Sequence, residues 1–180
     1  MTTINDNPDI NVRPAVLDDC NLIIELINQL ADYEKLTSEV SATKELLQQN
    51  LFGDTAVAEA FIGEIQGDPA GYAIFFTTFS TFTGRPGIYL EDLFVQPEFR
   101  CQGLGKALIC RVAREAVMRG CARLEWSVLD WNRPAMDFYQ GLGAKSLTDW
   151  VGQRLSGEAL EVVSRQDSVP PIRTENPLDT

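Results

Sequence analysis

The sequence has 180 residues, 44% of them hydrophobic and 23% charged, which is typical of a globular chain with a single domain. Its 26 acidic and 15 basic residues give a net charge of −11, which argues against a nucleic-acid partner and suits cationic small molecules. Histidine is absent, which excludes Ser-His and Cys-His nucleophile pairs and most zinc sites, and no metal site is predicted.

The N-terminal third predicts one strand followed by two helices. Residues 11–15 form a short strand, and residues 20–33 place apolar side chains three and four apart, as an amphipathic helix does. A second helix is predicted over residues 41–50, with Thr43 in its cap region. Residues 1–10 are polar and without apolar periodicity, and we expect them to be a flexible arm.

The remaining elements alternate between strands and helices. The segment 56–65 and the continuously apolar segment 70–79 are separated by the turn sequence Gln-Gly-Asp-Pro, which predicts a hairpin of two strands. The order predicts an α/β domain over residues 11–165 with a mixed sheet, and a flexible tail over residues 166–180. The other predicted elements are strands over 88–95, 122–129 and 150–155, a helix over 103–119, and a helix capped by Asn132 that ends near Gly141 or Gly143.

The cysteines and the lack of long apolar runs predict the cellular location. The four cysteines have no CxxC spacing and are typical of reduced thiols in a cytosolic protein. No apolar run in the sequence is long enough to cross a bilayer, and the polar N-terminus lacks the features of a signal peptide. We therefore expect a cytoplasmic protein that has no membrane partner.

The most informative segment is the glycine-rich turn in EDLFVQPEFRCQGLGKAL. A strand ends at Val95, and after a loop Gly103-Leu104-Gly105 opens a helix, whose N-terminal amides and dipole favour a phosphate. A P-loop is excluded because Ala107 follows Lys106 where a Ser or Thr is needed, and Leu108 breaks the Rossmann pattern. A helix-capping turn that binds nothing is the alternative.

Two motifs carry a resemblance to a known family. The segment Arg100-Cys101-Gln102-Gly103-Leu104-Gly105 fits R-x-x-G-x-G and resembles the acetyl-CoA pyrophosphate loop of the GNAT acetyltransferases, although many relatives have glycine where Cys101 stands. The second motif, N-x-x-A-x-x-F-Y-x-x-x-G, is similar to the sequence at Asn132, Ala135, Phe138, Tyr139 and Gly143. The resemblance spans residues 12–155 and implies a splayed mixed sheet flanked by helices, acetyl-CoA as cofactor, and a homodimer.

Within that superfamily, two segments resemble the branch of the spermidine/spermine and thialysine acetyltransferases. They are LADYEKL in the first helix and STFTGRPGIYLEDLFV before the glycine-rich loop. Spermidine-type enzymes carry an acidic residue in the loop before the LED strand, where this chain has Ser80-Thr81, as the thialysine-type relatives do. The resemblance therefore favours a small, amino-acid-like amine as substrate.

Acetyl transfer by direct attack of an amine needs a base, an oxyanion donor and an acid for the leaving thiolate. The resemblance assigns Tyr139 as the acid, with packing beside Phe138 as the alternative. Glu91 is the candidate base, acting through water or simply holding the ammonium, with a structural strand-end carboxylate as the alternative. Asp92 points to the opposite face in a regular strand, so only a bulge brings both carboxylates to one surface.

The resemblance also assigns binding residues. A backbone amide of Phe94 or Val95 is expected to meet the thioester oxygen, and Arg100 and Lys106 are expected to assist the phosphates. The cofactor-binding residues predicted in this way are Phe94, Val95, Arg100, Cys101, Gln102, Gly103, Leu104, Gly105, Lys106 and Asn132, the last with helix capping as an equal alternative. The predicted substrate-binding residues are Tyr33, Glu34, Ser80, Thr81, Glu91 and Asp92.

The sequence thus predicts an acetyl-CoA-dependent N-acetyltransferase for small cationic amines of the thialysine, polyamine or diamine kind. Two alternatives remain open at this point. One is acetylation of peptide or protein amines, with which the net charge of −11 is compatible. The other is a non-catalytic acyl-CoA-binding regulatory module, against which the presence of both Glu91 and Tyr139 argues.

Overall fold

A mixed five-stranded sheet organises the fold. The computed structural model describes residues 9–166, and these form two compact units that meet in sequence between Leu129 and Asp130. The four N-terminal strands of the first unit pair antiparallel in sequence order, and the fifth joins the fourth in parallel. The strands are β1 (Ile10–Pro14), β2 (Glu59–Ile65), β3 (Asp68–Ser80), β4 (Arg85–Val95) and β5 (Leu124–Trp126).

Helices flank this sheet, as the sequence predicted. The helices of the first unit are α1 (Cys20–Glu34), α2 (Lys44–Phe52) and α3 (Leu104–Met118). The second unit contains α4 (Arg133–Gly141) and α5 (Gly157–Ser164). The Thr43 hydroxyl accepts a hydrogen bond from the Leu46 amide and so caps α2, as expected from its position. Within residues 9–166, no helix combines the length and apolar character needed to cross a membrane.

The two faces of the sheet are covered by different helices. Side chains of β2 and β3 that alternate along the strands, such as Ile62 and Tyr72, form one buried cluster with Ile23 and Leu26 of α1. On the other face, Phe61 stacks on Phe75 at 5.1 Å between ring centroids and contacts the guanidinium of Arg111 from α3. Each large side chain buried in this way stabilises the fold by roughly 1.5–3 kcal/mol.

Strand β4 contains one residue more than its partner β3. Ile74 lies opposite Asp92, whereas the next residue, Phe75, lies opposite Leu90, so Glu91 is the extra residue of a β-bulge. Before the bulge, the side chain of Tyr89 faces α1, as do those of residues two positions away from it. After the bulge, the side chains of Asp92 and Phe94 face α1. The bulge therefore brings two consecutive carboxylates toward one face of the sheet.

The sheet also splays at this point. The parallel ladder between β4 and β5 joins Ile88, Tyr89 and Leu90 to residues Leu124–Trp126 and goes no further. From Glu91 to Val95, β4 pairs with β3 on one side and with no described strand on the other. This free edge leads directly into the glycine-rich loop, and it corresponds to the splayed sheet that the resemblance implied.

The C-terminal part of the described chain differs from the prediction. The strand predicted over 122–129 is reduced to Leu124–Trp126, and the one predicted over 150–155 was wrong: these residues are not in a strand. Trp150 and Val151 are 75% and 80% exposed, so their apolar character did not indicate buried strand positions. Helix α5 was not predicted, and residues 1–8 and 167–180 of the predicted arms lie outside the described residues.

Gly71 of β3 lies close against the backbone of β4. A Cβ atom built on Gly71 would lie 2.5 Å from the carbonyl oxygen of Phe94 and 3.2 Å from Cα of Val95. Both contacts are to backbone, which cannot rotate away as a flexible side chain can. A side chain at position 71 would therefore push β4 away from β3, whereas glycine allows the two strands to stay paired.

We predict that Gly71→Ala destabilises the protein by about 2 kcal/mol, because overpacking against backbone forces β4 to shift. Gly141→Ala is the matched control, since Gly141 lies in α4 with open space around its Cα and no left-handed backbone. Alanine is the better helix former, so the control leaves the free energy of unfolding unchanged or raises it by up to about 1 kcal/mol. Urea unfolding of both variants checks this, and equal effects would contradict it.

Candidate active site

The glycine-rich loop has the backbone conformation of an anion cradle. Cys101 and Gly103 both have left-handed backbone, with φ of 61° and 97°, and α3 begins immediately afterwards at Leu104. No side chain caps this helix, so its first amides are not satisfied by the residue before it. Lys106 is exposed on the first turn, whereas Leu104 is only 1% exposed and its side chain belongs to the core.

Arg100 and Gln102 fasten this loop to the rest of the first unit. The Arg100 Nε donates a hydrogen bond of 2.9 Å to the Val95 carbonyl at the end of β4. Its guanidinium carbon lies 4.6 Å from the ring centroid of Tyr33 and 5.6 Å from that of Phe94. The Gln102 side chain donates to the Glu98 carbonyl. Arg100 thus joins the loop, the strand end and the end of α1, and its phosphate role stays a prediction.

Asp92 and Tyr72 form a hydrogen-bonded pair on the α1 side of the sheet. The Tyr72 hydroxyl, on a side chain that is 0% exposed, donates to Asp92 Oδ2 at 3.0 Å. The pKa of Asp92 is raised to about 6: burial is the largest cause, the hydrogen bond from Tyr72 opposes it, and the charges of Glu91 and Glu34 act in the same direction as burial. The pKa of Tyr72 is well above its usual value for the same reasons of burial and nearby negative charge.

Glu34, at the last position of α1, belongs to the same acidic cluster. Burial raises the pKa of its carboxyl group, and its charge raises the pKa of both Asp92 and Tyr72. The predicted substrate residues Glu34 and Asp92 therefore lie close enough for the charge of Glu34 to raise the pKa of Asp92. Tyr33 lies beside them, and the cation over its ring is the protein's own Arg100. The arrangement concentrates negative charge between the end of α1 and the bulge of β4.

Glu91 is exposed at the bulge, next to Asp92. The sequence predicted that the two carboxylates share one surface only if a bulge is present, and the bulge is at Glu91 itself. The exposed Glu91 can exchange protons with water, and the half-buried Asp92 can hold a cation. Glu91 and Asp92 thus lie in different environments, the first exposed and the second half-buried.

The free edge of β4 presents the amide of Val95. The Gln96 amide donates to the Ala70 carbonyl on β3, whereas the Val95 carbonyl accepts from Arg100 on the opposite side. Because successive residues of a strand point their amides to opposite sides, the Val95 N–H is directed to the free edge and the Phe94 N–H toward β3. Of the two amides predicted to meet the thioester oxygen, the geometry favours Val95.

These features fit acetyl-CoA. Left-handed Gly103 and the uncapped first turn of α3 suit the pyrophosphate, and the free edge from Glu91 to Val95 suits the peptide-like pantetheine arm. The residues that would hold it are those of the loop and of this edge. Among the described residues no group of three potential metal ligands is present.

The second unit contains two further predicted residues, on α4. Asn132 is 6% exposed, and its side chain accepts a hydrogen bond of 3.3 Å from the Ala135 amide, so it is an N-cap. Tyr139 is half-buried, with its ring 5.2 Å from that of Phe138. The cofactor role of Asn132 and the acid role of Tyr139 stay predictions.

Ser80 and Thr81 lie at the tip of the hairpin that joins β3 to β4. Ser80 is buried, and its hydroxyl accepts a hydrogen bond from the Thr83 amide, whereas Thr81 is exposed. Ile74 lies opposite Asp92, and Ser80 follows Ile74 by six positions along β3, a distance of about 20 Å. Within this chain the structure therefore does not bring these two residues to the acidic cluster, and their substrate role stays a prediction.

Sequence reasoning missed Tyr72 as a site residue. The signal that was available is a phenol within an otherwise apolar, fully buried strand, because a buried hydroxyl needs a hydrogen-bond partner. Its partner depends on the register of β3 with β4, and the bulge that sets that register has no signature in the sequence.

The chain is similar to characterised acetyltransferases over most of its length. It is 41% identical over 162 residues to thialysine N-epsilon-acetyltransferase from Bos taurus, covering 84% of this chain and 95% of that protein. It is 29% identical over 199 residues to L-ornithine N5-acetyltransferase from Arabidopsis thaliana, covering 86% of this chain and 87% of that protein.

The fold is found in solved structures as well. An integron cassette protein from the mobile metagenome of V. cholerae superposes with a TM-score of 0.73 at 21% identity, covering 87% of this chain and 98% of that one.

A profile of the acetyltransferase (GNAT) family matches residues 23–144, which include the glycine-rich loop and the asparagine-to-tyrosine motif. The chain therefore belongs to the GNAT family of N-acetyltransferases, as its two motifs indicated.

Proposed function

We propose that this acetyltransferase moves the acetyl group of acetyl-CoA to the side-chain amine of a small amino acid of the thialysine and ornithine class. The observation that carries the proposal is the acidic cluster of Glu34, Tyr72 and Asp92 next to the free edge of β4. A compact site of two coupled carboxylates suits a single ammonium group. The names of the bovine and Arabidopsis relatives support the same substrate class.

Substrate binding depends on Asp92 and Glu34. The Tyr72 hydroxyl donates a hydrogen bond to Asp92 Oδ2 and so fixes the orientation of the carboxyl group. The other carboxyl oxygen is then oriented toward an incoming ammonium. Glu34 adds a second negative charge to the same region. The ammonium must lose a proton before it attacks, and the exposed Glu91 accepts it, directly or through water.

The reaction also needs stabilisation of the thioester oxygen and of the departing sulfur. Acetyl-CoA supplies an activated acetyl group. The Val95 N–H at the free edge donates a hydrogen bond to the thioester oxygen as negative charge develops there. Tyr139 Oη would give its proton to the departing thiolate and regain the proton that the attacking nitrogen loses, and the first amides of α3 would hold the pyrophosphate.

We predict that thialysine and ornithine give the highest kcat/KM in a panel that also contains lysine, putrescine, spermidine and a basic peptide. The measurement is release of free CoA from acetyl-CoA, with mass spectrometry to locate the acetyl group. Asp92→Asn should raise KM for the best amine by at least tenfold, because it removes the buried charge that attracts it. Higher kcat/KM with spermidine or the peptide would overturn the proposed substrate class.

We predict that Tyr139→Phe and Glu91→Gln each lower kcat by at least tenfold, since each removes a proton-transfer group. Acetyl-CoA should still raise the melting temperature of both variants, because neither residue is assigned to the cofactor's phosphates. Phe138→Leu is the control for packing beside Tyr139, and it should cost less activity than Tyr139→Phe. An unchanged kcat in Tyr139→Phe would refute its acid role.

We predict a pH dependence from Asp92. As the pH falls through about 6, Asp92 becomes protonated and loses the charge that holds the amine, so KM for the amine rises. The Tyr72 hydrogen bond lowers the pKa of Asp92, so Tyr72→Phe should move this inflection to higher pH. Tyr89→Phe is the matched control, because its hydroxyl bonds to Ser127 instead, and it should leave the inflection in place. The same inflection in Asp92→Asn would contradict the assignment.

A further inference from the structure

The carbonyl of Val95 lies on the free edge of β4, where no described strand can bind it. From Glu91 onward, β4 pairs only with β3 among the described strands. The Gln96 amide donates to the Ala70 carbonyl on β3, so the carbonyl of the same peptide, that of Val95, points away from β3. A strand carbonyl without a neighbouring strand takes its hydrogen bond from a side chain or from water. Here the donor is Arg100, whose Nε lies 2.9 Å from the Val95 carbonyl oxygen.

The guanidinium of Arg100 is held in place by two aromatic rings. Its central carbon lies 4.6 Å from the ring centroid of Tyr33 in α1 and 5.6 Å from that of Phe94 in β4. The Arg100 residue is half-buried. A charged donor makes a stronger hydrogen bond than a neutral one, and the planar guanidinium keeps its donors in fixed directions. The contacts of the Arg100 side chain are therefore with the end of β4 and with α1.

The carbonyl that Arg100 binds belongs to the same residue as the amide proposed to meet the thioester oxygen. In a strand the N–H and C=O of one residue point to the same side, so both groups of Val95 lie on the free edge. The peptide that follows Val95 is fixed on one side by β3 and on the other by Arg100. Without Arg100, the end of β4 is held at this point by β3 alone, and the Val95 N–H loses its fixed direction.

We propose that Arg100 is a positioning residue for acetyl transfer: its Nε–H holds the Val95 carbonyl and so keeps the Val95 N–H directed at the thioester oxygen. This inference rests on the proposed function, in which that N–H stabilises the developing negative charge. A donor stabilises an oxyanion best when it is directed beforehand at the position the oxygen will take, and loss of one such donor costs about 10²–10³ in kcat. Misalignment costs less than loss, and we expect a decrease of at least tenfold.

Two substitutions separate this role from binding of the phosphates by charge. In glutamine the side-chain nitrogen is bonded to Cδ, as Nε is in arginine, so Arg100→Gln keeps a donor at this position and removes the charge. In Arg100→Lys a methylene group takes the place of Nε, so this variant keeps the charge and removes the donor at this position. A positioning role therefore predicts that Arg100→Gln is the more active variant, whereas a phosphate role predicts that Arg100→Lys is.

The first test is steady-state release of CoA with the best amine of the panel. We expect Arg100→Lys to lower kcat at least tenfold with KM for acetyl-CoA within twofold of the wild-type value, and Arg100→Gln to keep at least about one third of kcat. Arg114→Lys, on the exposed face of α3, is the matched control and should change neither constant. Acetyl-CoA should still raise the melting temperature of Arg100→Lys, as expected of a folded variant that binds the cofactor. The reverse order of the two Arg100 variants, or equal losses of kcat in both, would overturn the proposal.

The second test does not depend on acetyl transfer. The ¹³C chemical shift of the Val95 carbonyl, measured by NMR on the full chain without ligands, reports the hydrogen bond that this carbonyl accepts. We expect it to stay close to the wild-type value in Arg100→Gln and Arg114→Lys and to change in Arg100→Lys, and no change in Arg100→Lys would contradict the positioning role. If the wild-type chain releases CoA with no amine of the panel, the proposed function itself fails. Normal wild-type turnover with an unchanged kcat in Arg100→Lys overturns the role of Arg100 alone.

Discussion

The extra residue in β4 is the constraint on which the rest of the site depends. Strand periodicity assigns neighbouring side chains to opposite faces, and a single inserted residue at Glu91 cancels that rule locally. The same point ends the pairing between β4 and β5, which frees the edge from Glu91 to Val95. One backbone irregularity therefore produces both the paired carboxylates and the free amides, and Gly71 on β3 keeps the neighbouring strand close enough to hold them.

The acidic cluster lowers stability and is tolerated because of the sheet around it. The charge of Glu34 opposes the ionisation of Asp92, and burial opposes the ionisation of both. The cluster is held in place by a core in which Tyr72, Ile62 and Leu26 are completely buried. In the proposed function a cationic substrate relieves this repulsion, so the free protein is less favourable electrostatically than its complex with an amine. The net charge of −11 extends the same preference to the whole surface.

The sequence allowed much of the fold and the cofactor loop to be predicted, because both depend on local patterns. Apolar periodicity located α1 and α3 nearly to the residue, and glycine spacing with its preceding strand located the loop. Long-range pairing had no such signature: the bond between Tyr72 and Asp92 and the stacking of Arg100 on Tyr33 arise from register and from chain path. The strand predicted over 150–155 was wrong because it relied on apolar residues such as Trp150 without a partner strand to pair with.

Arg100 connects the glycine-rich loop to the end of α1. Its guanidinium hydrogen-bonds the end of β4 and stacks on Tyr33, the neighbour of Glu34, while its backbone opens the phosphate loop. A shift of the loop would therefore also move the planar group that stacks on Tyr33 in α1. By thermodynamic linkage, any change in loop position that alters amine affinity is matched by an equal effect of the amine on the loop. In the proposed function the binding of the two substrates is thus linked through one side chain, and the order in which they bind affects the kinetics but not the free energy of the ternary complex.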